Sequence, residues 1–103
     1  MKKLFSGLVL GGIISAAANA ALPVWVQGQV TRVYADPSDA VYVVDSGGSS
    51  PCGAIFYHVR RTNENFKEFY SLLLTAFTAG KNVSVRVVEC DGDRNITSQG
   101  YIW

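Results

Sequence analysis

The sequence predicts a small, mainly β domain with five strands and a single helix, and three observations support this prediction. Most of the chain after residue 20 alternates apolar and polar residues, as strands do. One segment, residues 64–79, has a helical period instead. The chain is also short and has two cysteines, which is typical of a small domain stabilised by a cross-link.

Residues 1–20 have the composition of a cleavable secretory signal peptide. Lys2 and Lys3 precede an apolar stretch, and the small-residue triplet Ala-Asn-Ala ends the segment. Glycine and serine residues interrupt the stretch, which is shorter than the ~20 residues of a membrane-spanning helix. We therefore predict cleavage before Ala21 and a mature chain in the periplasm or outside the cell, without a membrane span.

The predicted mature chain, residues 21–103, is long enough for one domain and too short for two. The full chain has nine Lys and Arg residues against eight Asp and Glu residues, so its formal net charge is +1. Loss of the two lysines of the signal peptide would change this charge to −1. A near-neutral exported chain is not expected to bind nucleic acid or an anionic membrane surface.

Cys52 and Cys90 are the only cysteines, and both lie in the predicted mature chain. An even number of cysteines in a small exported chain is typical of a disulfide. Closing a loop of this length would stabilise the fold by about 4 kcal/mol. The alternatives are a catalytic thiol and a metal site, but the chain has too few Cys and His residues to complete the latter. We expect a structural disulfide, no metal and no cofactor.

Three strands are predicted before the helix. The first covers residues 24–34, which are rich in β-branched and aromatic residues and precede the turn Asp-Pro-Ser-Asp. The second covers residues 40–44 and ends in the Gly- and Ser-rich loop 45–51. The third covers residues 54–60. Its alternation places Ile55, Tyr57 and Val59 on one face and Phe56, His58 and Arg60 on the other.

The period then changes, and the spacing predicts a helix over residues 64–79. The apolar residues recur at positions i, i+3, i+4 and i+7: Phe66, Phe69, Tyr70, Leu73, Ala76 and Phe77. Asn65 and Glu68 have the spacing of a capping box, although other nearby polar residues could also cap the helix. Gly80 stands where a left-handed glycine commonly ends a helix.

Alternation returns after the helix and predicts two more strands. Residues 83–88 place three valines on one face, and residues 96–103 form the fifth strand. The turn between them, residues 91–95, has the acidic spacing that opens a calcium-binding loop. It lacks the glycine and the final glutamate that such a loop needs, so we predict a hairpin turn. Asn82 and Asn95 begin N-glycosylation sequons, but the lysine-led signal segment is typical of a bacterium, and we interpret both as turn residues.

The predicted order is therefore three strands, one helix and two strands. Gly28 lies midway along the long first strand, where a barrel must bend. This order, βββαββ, is that of the OB-fold, a five-stranded Greek-key barrel with the helix between strands three and four. The alternative is an open antiparallel sheet with one helix packed across it.

A resemblance to a known family supports the barrel. The segment FYSLLLTAFTAGKNVSV, residues 69–85, resembles the helix-to-strand passage of small exported bacterial OB-fold proteins such as the subtilase cytotoxin B subunit. Similarity extends to residues 27–30 and to the cysteine after the second strand. The resemblance implies a barrel that, in the toxin, forms a ring of five and binds sialylated glycans. Gln27 stands where that family has a sugar-contacting serine, so the fold transfers better than the ligand.

Two sets of side chains are candidates for ligand binding. Four basic residues would form a strip suited to an acidic glycan or carboxylate if their strands face outward: Arg32, His58, Arg60 and Arg86. Exposed aromatic residues could stack on sugar rings or contact a partner protein. His58 is the only histidine and the only candidate for histidine-based catalysis. Its alternation with Phe56 and Arg60 predicts a half-exposed surface residue instead.

Without a catalytic cluster, the sequence favours a non-enzymatic binding module, periplasmic or secreted, whose ligand is a glycan or a protein. The alternative is a structural or inhibitory protein that acts through a barrel edge. Such an edge could pair with a partner or with a second copy, as in a homo-oligomer of the toxin B-subunit kind.

Overall fold

The computed structural model describes residues 21–103, and the predicted signal peptide, residues 1–20, lies outside the described residues. The elements are β1 (Val24–Ala35), β2 (Asp39–Asp45), β3 (Phe56–Arg60), α1 (Phe66–Ala79), β4 (Asn82–Asp91) and β5 (Arg94–Ile102). The predicted order of three strands, one helix and two strands is confirmed.

The five strands form one mixed sheet. Its hydrogen-bonded order, β1-β2-β3-β5-β4, closes on itself because β4 also pairs with β1. The neighbouring strands are antiparallel except for β3 and β5, which form a short parallel pair at Tyr57–Asn95 and His58–Ile96. Because this one pair is so short, the closed sheet is irregular. The chain is thus a mainly β domain with one packed helix, which both predicted architectures share.

β1 pairs with two neighbouring strands, one along each half of its length. Residues 24–29 pair with β4, and the ladder with β2 begins at Gln29 and shifts register between Val30 and Arg32. Gly28 lies just before this change of partner. A Cβ atom there would stand 2.2 Å from the carbonyl oxygen of Asp45, so only glycine lets the two strands approach this closely.

The core lies between the inner face of the sheet and one side of α1. Its buried members are Val30, Ala40, Tyr42, Val44, Tyr57, Val59, Phe69, Leu73, Ala76, Val83, Val85 and Val87. The alternating valines of β4 all point inward, as predicted. Phe77, which the helical spacing also assigned to the apolar side, is exposed. Burial of each Val or Leu side chain stabilises the fold by roughly 1.5–3 kcal/mol, so this cluster is the main source of stability.

The two ends of α1 differ in how well the sequence predicts them. Gly80 has a φ of 65°, and Lys81 donates its N–H to the carbonyl of Ala76 at 2.9 Å, so the predicted glycine terminus is confirmed. The capping-box prediction is wrong. The helix begins at Phe66, and Asn65 makes no side-chain cap bond because its Oδ1 accepts the amide of Asn63 instead.

The predicted disulfide between Cys52 and Cys90 is present and joins the loop after β2 to the end of β4. Beside it, the buried side chain of Asn95 holds the same loop. Its Oδ1 accepts the Cys52 N–H at 2.9 Å, and its Nδ2 donates to the carbonyls of Ala54 and Phe56 at 3.0 and 2.9 Å. We call these three contacts the Asn95 bonds. Because they hold the backbone of the loop, β3 begins at Phe56 and not at the predicted residue 54.

Interpretation of the two sequon asparagines as turn residues is wrong. Asn95 is a buried residue of β5, and Asn82 is the first residue of β4. The hairpin prediction nearby is confirmed, since Asp91 pairs with Arg94 and Gly92 has a φ of 65° in the turn. Within residues 21–103, no helix has the length and apolar character needed to cross a membrane.

Candidate functional site

The predicted site residue His58 lies on the outer face of the sheet. The register places Tyr34, Val41 and His58 side by side on β1, β2 and β3, and Ile96 of β5 extends this row. Neighbouring residues on the same strands point into the core, so this row faces outward. Even so, Val41 and Ile96 are buried. The outer face is therefore unusually apolar at this point.

His58 is buried and paired, so the prediction of a half-exposed surface histidine is wrong. Its side chain lies among the buried residues of the row, and Nδ1 stands 3.0 Å from Oδ2 of Asp39. The two residues are only 7% and 8% exposed. Because Nδ1 is engaged with the carboxylate, Nε2 is the ring atom left to bond a ligand.

A cleft with a volume of about 320 Å³ opens at His58, and we call it the His58 cleft. Its lining residues are Tyr34, Asp36, Ala54, Phe56, His58, Asp93 and Arg94. The rings of Tyr34 and Phe56 meet edge to face, 6.5 Å apart. Asp36 follows β1, and Asp93 and Arg94 belong to the β4–β5 hairpin. Two strands and two turns therefore converge on a pocket with aromatic walls and a polar rim.

Formal charges of the residues that line the His58 cleft do not favour an anionic ligand. Two carboxylates, Asp36 and Asp93, outnumber the one guanidinium, Arg94. The third carboxylate nearby, that of Asp39, is paired with His58. An anionic ligand would therefore meet a small excess of negative charge.

The predicted basic strip is only partly brought together. Arg32 is cross-strand from Val43 on the face that carries His58, and Arg60 is cross-strand from Asp39 on the same face. Arg86 is cross-strand from Trp25 and Gln99, on a different part of the surface.

The positive charge of Arg60 is also partly compensated. Its guanidinium lies 3.3 Å from Asp91 and 3.8 Å from Glu89, both on β4. All three side chains are well exposed, so solvent screens these ion pairs and each contributes little to stability. Their effect on function is to lower the net charge that Arg60 offers to an anion.

Sequence reasoning missed most of the residues that line the His58 cleft. Asp36, Asp93 and Arg94 belong to predicted turns, and Asp39 was assigned to the turn before β2. The one available signal was the strand order, since an OB-like order brings the turn after strand one near the turn after strand four. The partnership of Asp39 with His58 depends on the register of β2 and β3, which no local pattern encodes.

A second cleft, with a volume of about 550 Å³, lies between the first half of β1 and the loop after β2; we call it the edge cleft. Its lining residues are Ala21, Leu22, Val24, Trp25, Val26, Gln27, Ser46, Ser49 and Pro51. None of their side chains carries a formal charge, and the predicted cleavage before Ala21 would place the α-ammonium group of the mature chain at this cleft. Trp25 is partly exposed, and its ring contacts that of Tyr101 at 5.6 Å.

Two buried tyrosines connect the core to the clefts. The hydroxyl of Tyr42 bonds Oγ1 of Thr97 at 2.7 Å, and Thr97 donates to the carbonyl of His58 at 2.9 Å. The hydroxyl of Tyr57 lies near Ser46, at the wall of the edge cleft. Burial raises the pKa of both phenols, and these polar neighbours oppose part of the rise.

Comparison with known proteins adds no relative. A scan against models of known protein families finds no match to this chain, and a search of curated proteins finds none either. Within residues 21–103, no group of three or more His, Cys, Asp or Glu side chains is placed to hold a metal ion. Function has to be inferred from the geometry of the two clefts.

Proposed function

We propose that this chain is an exported binding module whose His58 cleft holds an uncharged glycan. The observation that carries the proposal is the composition of the cleft. The rings of Tyr34 and Phe56 stand beside hydrogen-bonding groups of opposite kind, the carboxylate of Asp93 and the guanidinium of Arg94.

The chemistry of a sugar matches such a site. The C–H groups on one face of a pyranose ring are apolar and pack against aromatic rings, while its hydroxyls both donate and accept hydrogen bonds. Carboxylates accept, a guanidinium donates, and Nε2 of His58, whose Nδ1 faces Asp39, is available for a further hydrogen bond. Ligand pockets in proteins generally combine apolar walls with a few polar groups, as this cleft does.

The position of the cleft supports the same proposal if the sheet is an OB-like barrel. The closed strand order and the helix between the third and fourth strands are consistent with that fold. In OB-folds, the face of strands two and three and the flanking loops bind oligonucleotides and oligosaccharides. His58 lies on β3 of this face, with Asp36 at one flanking turn and Asp93 at the other.

Charge argues for an uncharged ligand rather than the sialylated glycans that the family resemblance implies. A sialic acid has a carboxylate, which would face Asp36 and Asp93, and Arg94 is the one guanidinium among the described lining residues. Arg61, which donates to the backbone carbonyl of Asp36 at 3.0 Å, is not part of the lining. Arg60, the nearest predicted anion-binding residue on β3, is already paired with Asp91. A neutral sugar avoids this repulsion.

Export and binding without catalysis complete the proposal. The disulfide between Cys52 and Cys90 needs an oxidising compartment to persist, as the periplasm or the medium provides. The described residues that line the His58 cleft include no serine, threonine or cysteine that could act as a nucleophile beside His58.

A glycan array probed with the full chain, produced under oxidising conditions, tests the proposal. We expect retention on uncharged glycans, and a loss of affinity of about tenfold in Tyr34→Ala, equal to ~1.4 kcal/mol. Tyr101→Ala is the matched control, because Tyr101 is a similarly exposed tyrosine (49% against 40%) outside the cleft. It should bind within about twofold of the parent.

Three results would contradict the proposal. They are the absence of any retained glycan, retention of sialylated glycans alone, and equal losses in the two tyrosine variants. Circular dichroism of each variant keeps a folding defect from being mistaken for lost binding.

A further inference from the structure

The edge cleft presents backbone as well as side chains. Residues 24–29 of β1 pair with β4 along one edge, but along the other edge the pairing with β2 begins only at Gln29. Within residues 21–103, no strand pairs with this second edge at residues 24–27. Since backbone N–H and C=O groups of a strand alternate in direction, half of those in this stretch face the cleft.

β2 does not continue along this edge of β1 because of the backbone geometry at the C-terminal end of β2. Asp45 makes the last pair, with Gln29, and its carbonyl oxygen already lies too close to Gly28 for any side chain there. Gly47 then has a φ of 81°, and its N–H donates to Oδ1 of Asp45. The chain therefore turns away and returns as the opposite wall of the cleft.

That wall is fixed at its far end. The Cys52 disulfide and the Asn95 bonds hold the loop to β4 and β5. Oγ of Ser50 adds a bond to the carbonyl of Ala54 at 2.6 Å and accepts the N–H of Gly53 at 2.9 Å. The space beside β1 is thus held open by covalent and hydrogen-bonded restraints.

Exposed strand edges are usually protected by charged residues, by proline or by a covering segment. Residues 24–27 contain no charged residue and no proline, although Pro23 directly precedes them, and no strand of residues 21–103 covers this edge. The side chains that line the cleft are uncharged. Side chains of this stretch alternate as a strand's do. Val24 and Val26 pack against the core, while Trp25 and Gln27 lie on the other face and are exposed.

We propose that the edge cleft binds an extended, uncharged polypeptide segment of a partner protein, which adds to β1 along residues 24–27 as a further strand. Regularly alternating N–H and C=O groups are complementary to another strand, so the backbone edge selects a peptide. The walls offer no charged side chain, which selects against Asp, Glu, Lys and Arg opposite residues 24–27; the α-ammonium group of Ala21 in the mature chain lies outside that stretch. This proposal is independent of glycan binding, which uses the opposite half of β1.

The size of the site limits the contact to a short segment. Four residues of β1 span roughly 13 Å, so four or five residues of the partner pair with them. Alternate partner side chains then lie beside Trp25, where aromatic or branched residues pack well. The others lie beside Val24 and Val26.

The test uses a displayed library of random octapeptides selected on the full, disulfide-bonded chain. We expect enrichment of uncharged peptides with alternating apolar residues. When added to isotope-labelled protein, the enriched peptide should slow amide exchange at residues 24–27. Two versions of this peptide, N-methylated at odd or at even positions, separate strand pairing from side-chain docking. In strand pairing only one set of N–H groups faces β1, so one version should lose at least about tenfold in affinity and the other should not.

A variant of the wall provides a second measurement that does not endanger folding. Ser49 is exposed in the loop, and Ser49→Asp places a charge beside the bound segment. We expect a loss of about tenfold in peptide affinity. Ser71→Asp, at an exposed helix position, is the control and should have no effect.

Several outcomes would overturn the proposal. They are the absence of enriched peptides, amide protection outside residues 24–27, equal losses for the two N-methylated versions, and an unaffected Ser49→Asp. Light scattering tests whether a second copy of this chain, in place of a partner protein, occupies the edge. A concentration-dependent dimer whose protected amides are those of residues 24–27 would show that the edge is taken by a second copy, and would overturn the assignment to a partner protein.

Discussion

The two halves of β1 each form a wall of one cleft, but they contribute different chemical groups. In the second half, the strand is paired with β2, and Tyr34 projects from the sheet into the His58 cleft. In the first half, one backbone edge is unpaired by any strand of residues 21–103, and it faces the edge cleft together with Trp25. One strand thus offers side chains at one end and backbone at the other.

The difference arises from a single change of partner. Near Gly28 the strand leaves β4 as its main neighbour and joins β2, and the register shift after Val30 accompanies this change. Each half is hydrogen-bonded along one edge only, the first half to β4 and the second half to β2, and Gln29 alone pairs with both strands. The halves differ in the group that faces a cleft, which is the side chain of Tyr34 in the second half and an unpaired backbone edge in the first. Five predictions test this contrast, in order of decreasing effect.

Loss of the disulfide should have the largest effect and should act unequally on the two clefts. Cys52→Ser combined with Cys90→Ser opens a loop of 38 residues, and we expect the free energy of unfolding to fall by about 4 kcal/mol in urea denaturation. In the folded protein, amide exchange should accelerate more in residues 46–51 than in residues 36–38, because the disulfide holds only the first segment. Equal acceleration would show that the two clefts are not separately supported.

Gly28→Ala should remove the point at which β1 changes partner. The new Cβ atom would stand 2.2 Å and 2.6 Å from the carbonyl oxygen and carbon of Asp45, which are backbone atoms and cannot rotate away. We expect a loss of about 3 kcal/mol in the free energy of unfolding. Gly48→Ala is the control, since nothing lies within 4 Å of its Cβ, and it should change stability by less than about 0.5 kcal/mol. Similar losses in the two variants would refute the role given to Gly28.

Substitution of each buried tyrosine by phenylalanine should affect the two clefts differently. Near neutral pH, Tyr42→Phe should cost about 1 kcal/mol for its lost hydrogen bond to Thr97, and Tyr57→Phe should cost less. Only Tyr57→Phe removes a hydroxyl near Ser46, so only this variant should weaken peptide binding at the edge cleft. Tyr42→Phe should leave Thr97 bonded to the carbonyl of His58.

The pH dependence of stability tests the same tyrosines. Because burial raises the pKa of both phenols on folding, their contribution is complete below the ordinary tyrosine pKa of about 10. It is lost as the pH rises further, since the unfolded chain then releases protons that the folded chain retains. Urea midpoints measured at about pH 8 and about pH 11 should show this loss in the parent and a smaller loss in each Phe variant. A parent whose midpoint does not change over this range would contradict the assignment.

Arg60→Ala should have the smallest effect. Its ion pairs with Glu89 and Asp91 are exposed and screened, so we expect a change in the free energy of unfolding of less than about 0.5 kcal/mol. Glycan retention should be unchanged, whereas Arg94→Ala, within the His58 cleft, should reduce it. A glycan loss in Arg60→Ala comparable with that in Arg94→Ala would restore the predicted basic strip as the binding surface.

The elements themselves could be predicted because their signals are local. The helical spacing of residues such as Phe69 and Leu73, and the glycine at position 80, depend only on neighbours within a turn. The alternation of the valines in β4 is equally local. Each of these features was confirmed, the helix with limits within two residues of the prediction and β4 with an end three residues later than predicted.

The site could not be predicted to the same degree because it depends on register. His58 and Asp39 are 19 residues apart and meet only once β2 and β3 are aligned. Asn95 has the composition of a turn residue, yet its three bonds to the loop after β2 require β5 to lie beside β3. Arg86 alternates as an outward residue, as expected, but the sheet carries it away from His58.

The loop between β2 and β3 is secured at both ends and unconstrained in its middle. Asp45 closes the ladder with β1 and Cys52 closes the disulfide, while a side chain at Gly48 would meet nothing within 4 Å and Ser49 is exposed. A substitution at Ser49 therefore changes the wall of the edge cleft, and one at Gly48 changes the loop beside it, without cost to the frame. A few mutations can therefore change the ligand selectivity of this chain, because the residues that face the ligand are not those that stabilise the fold.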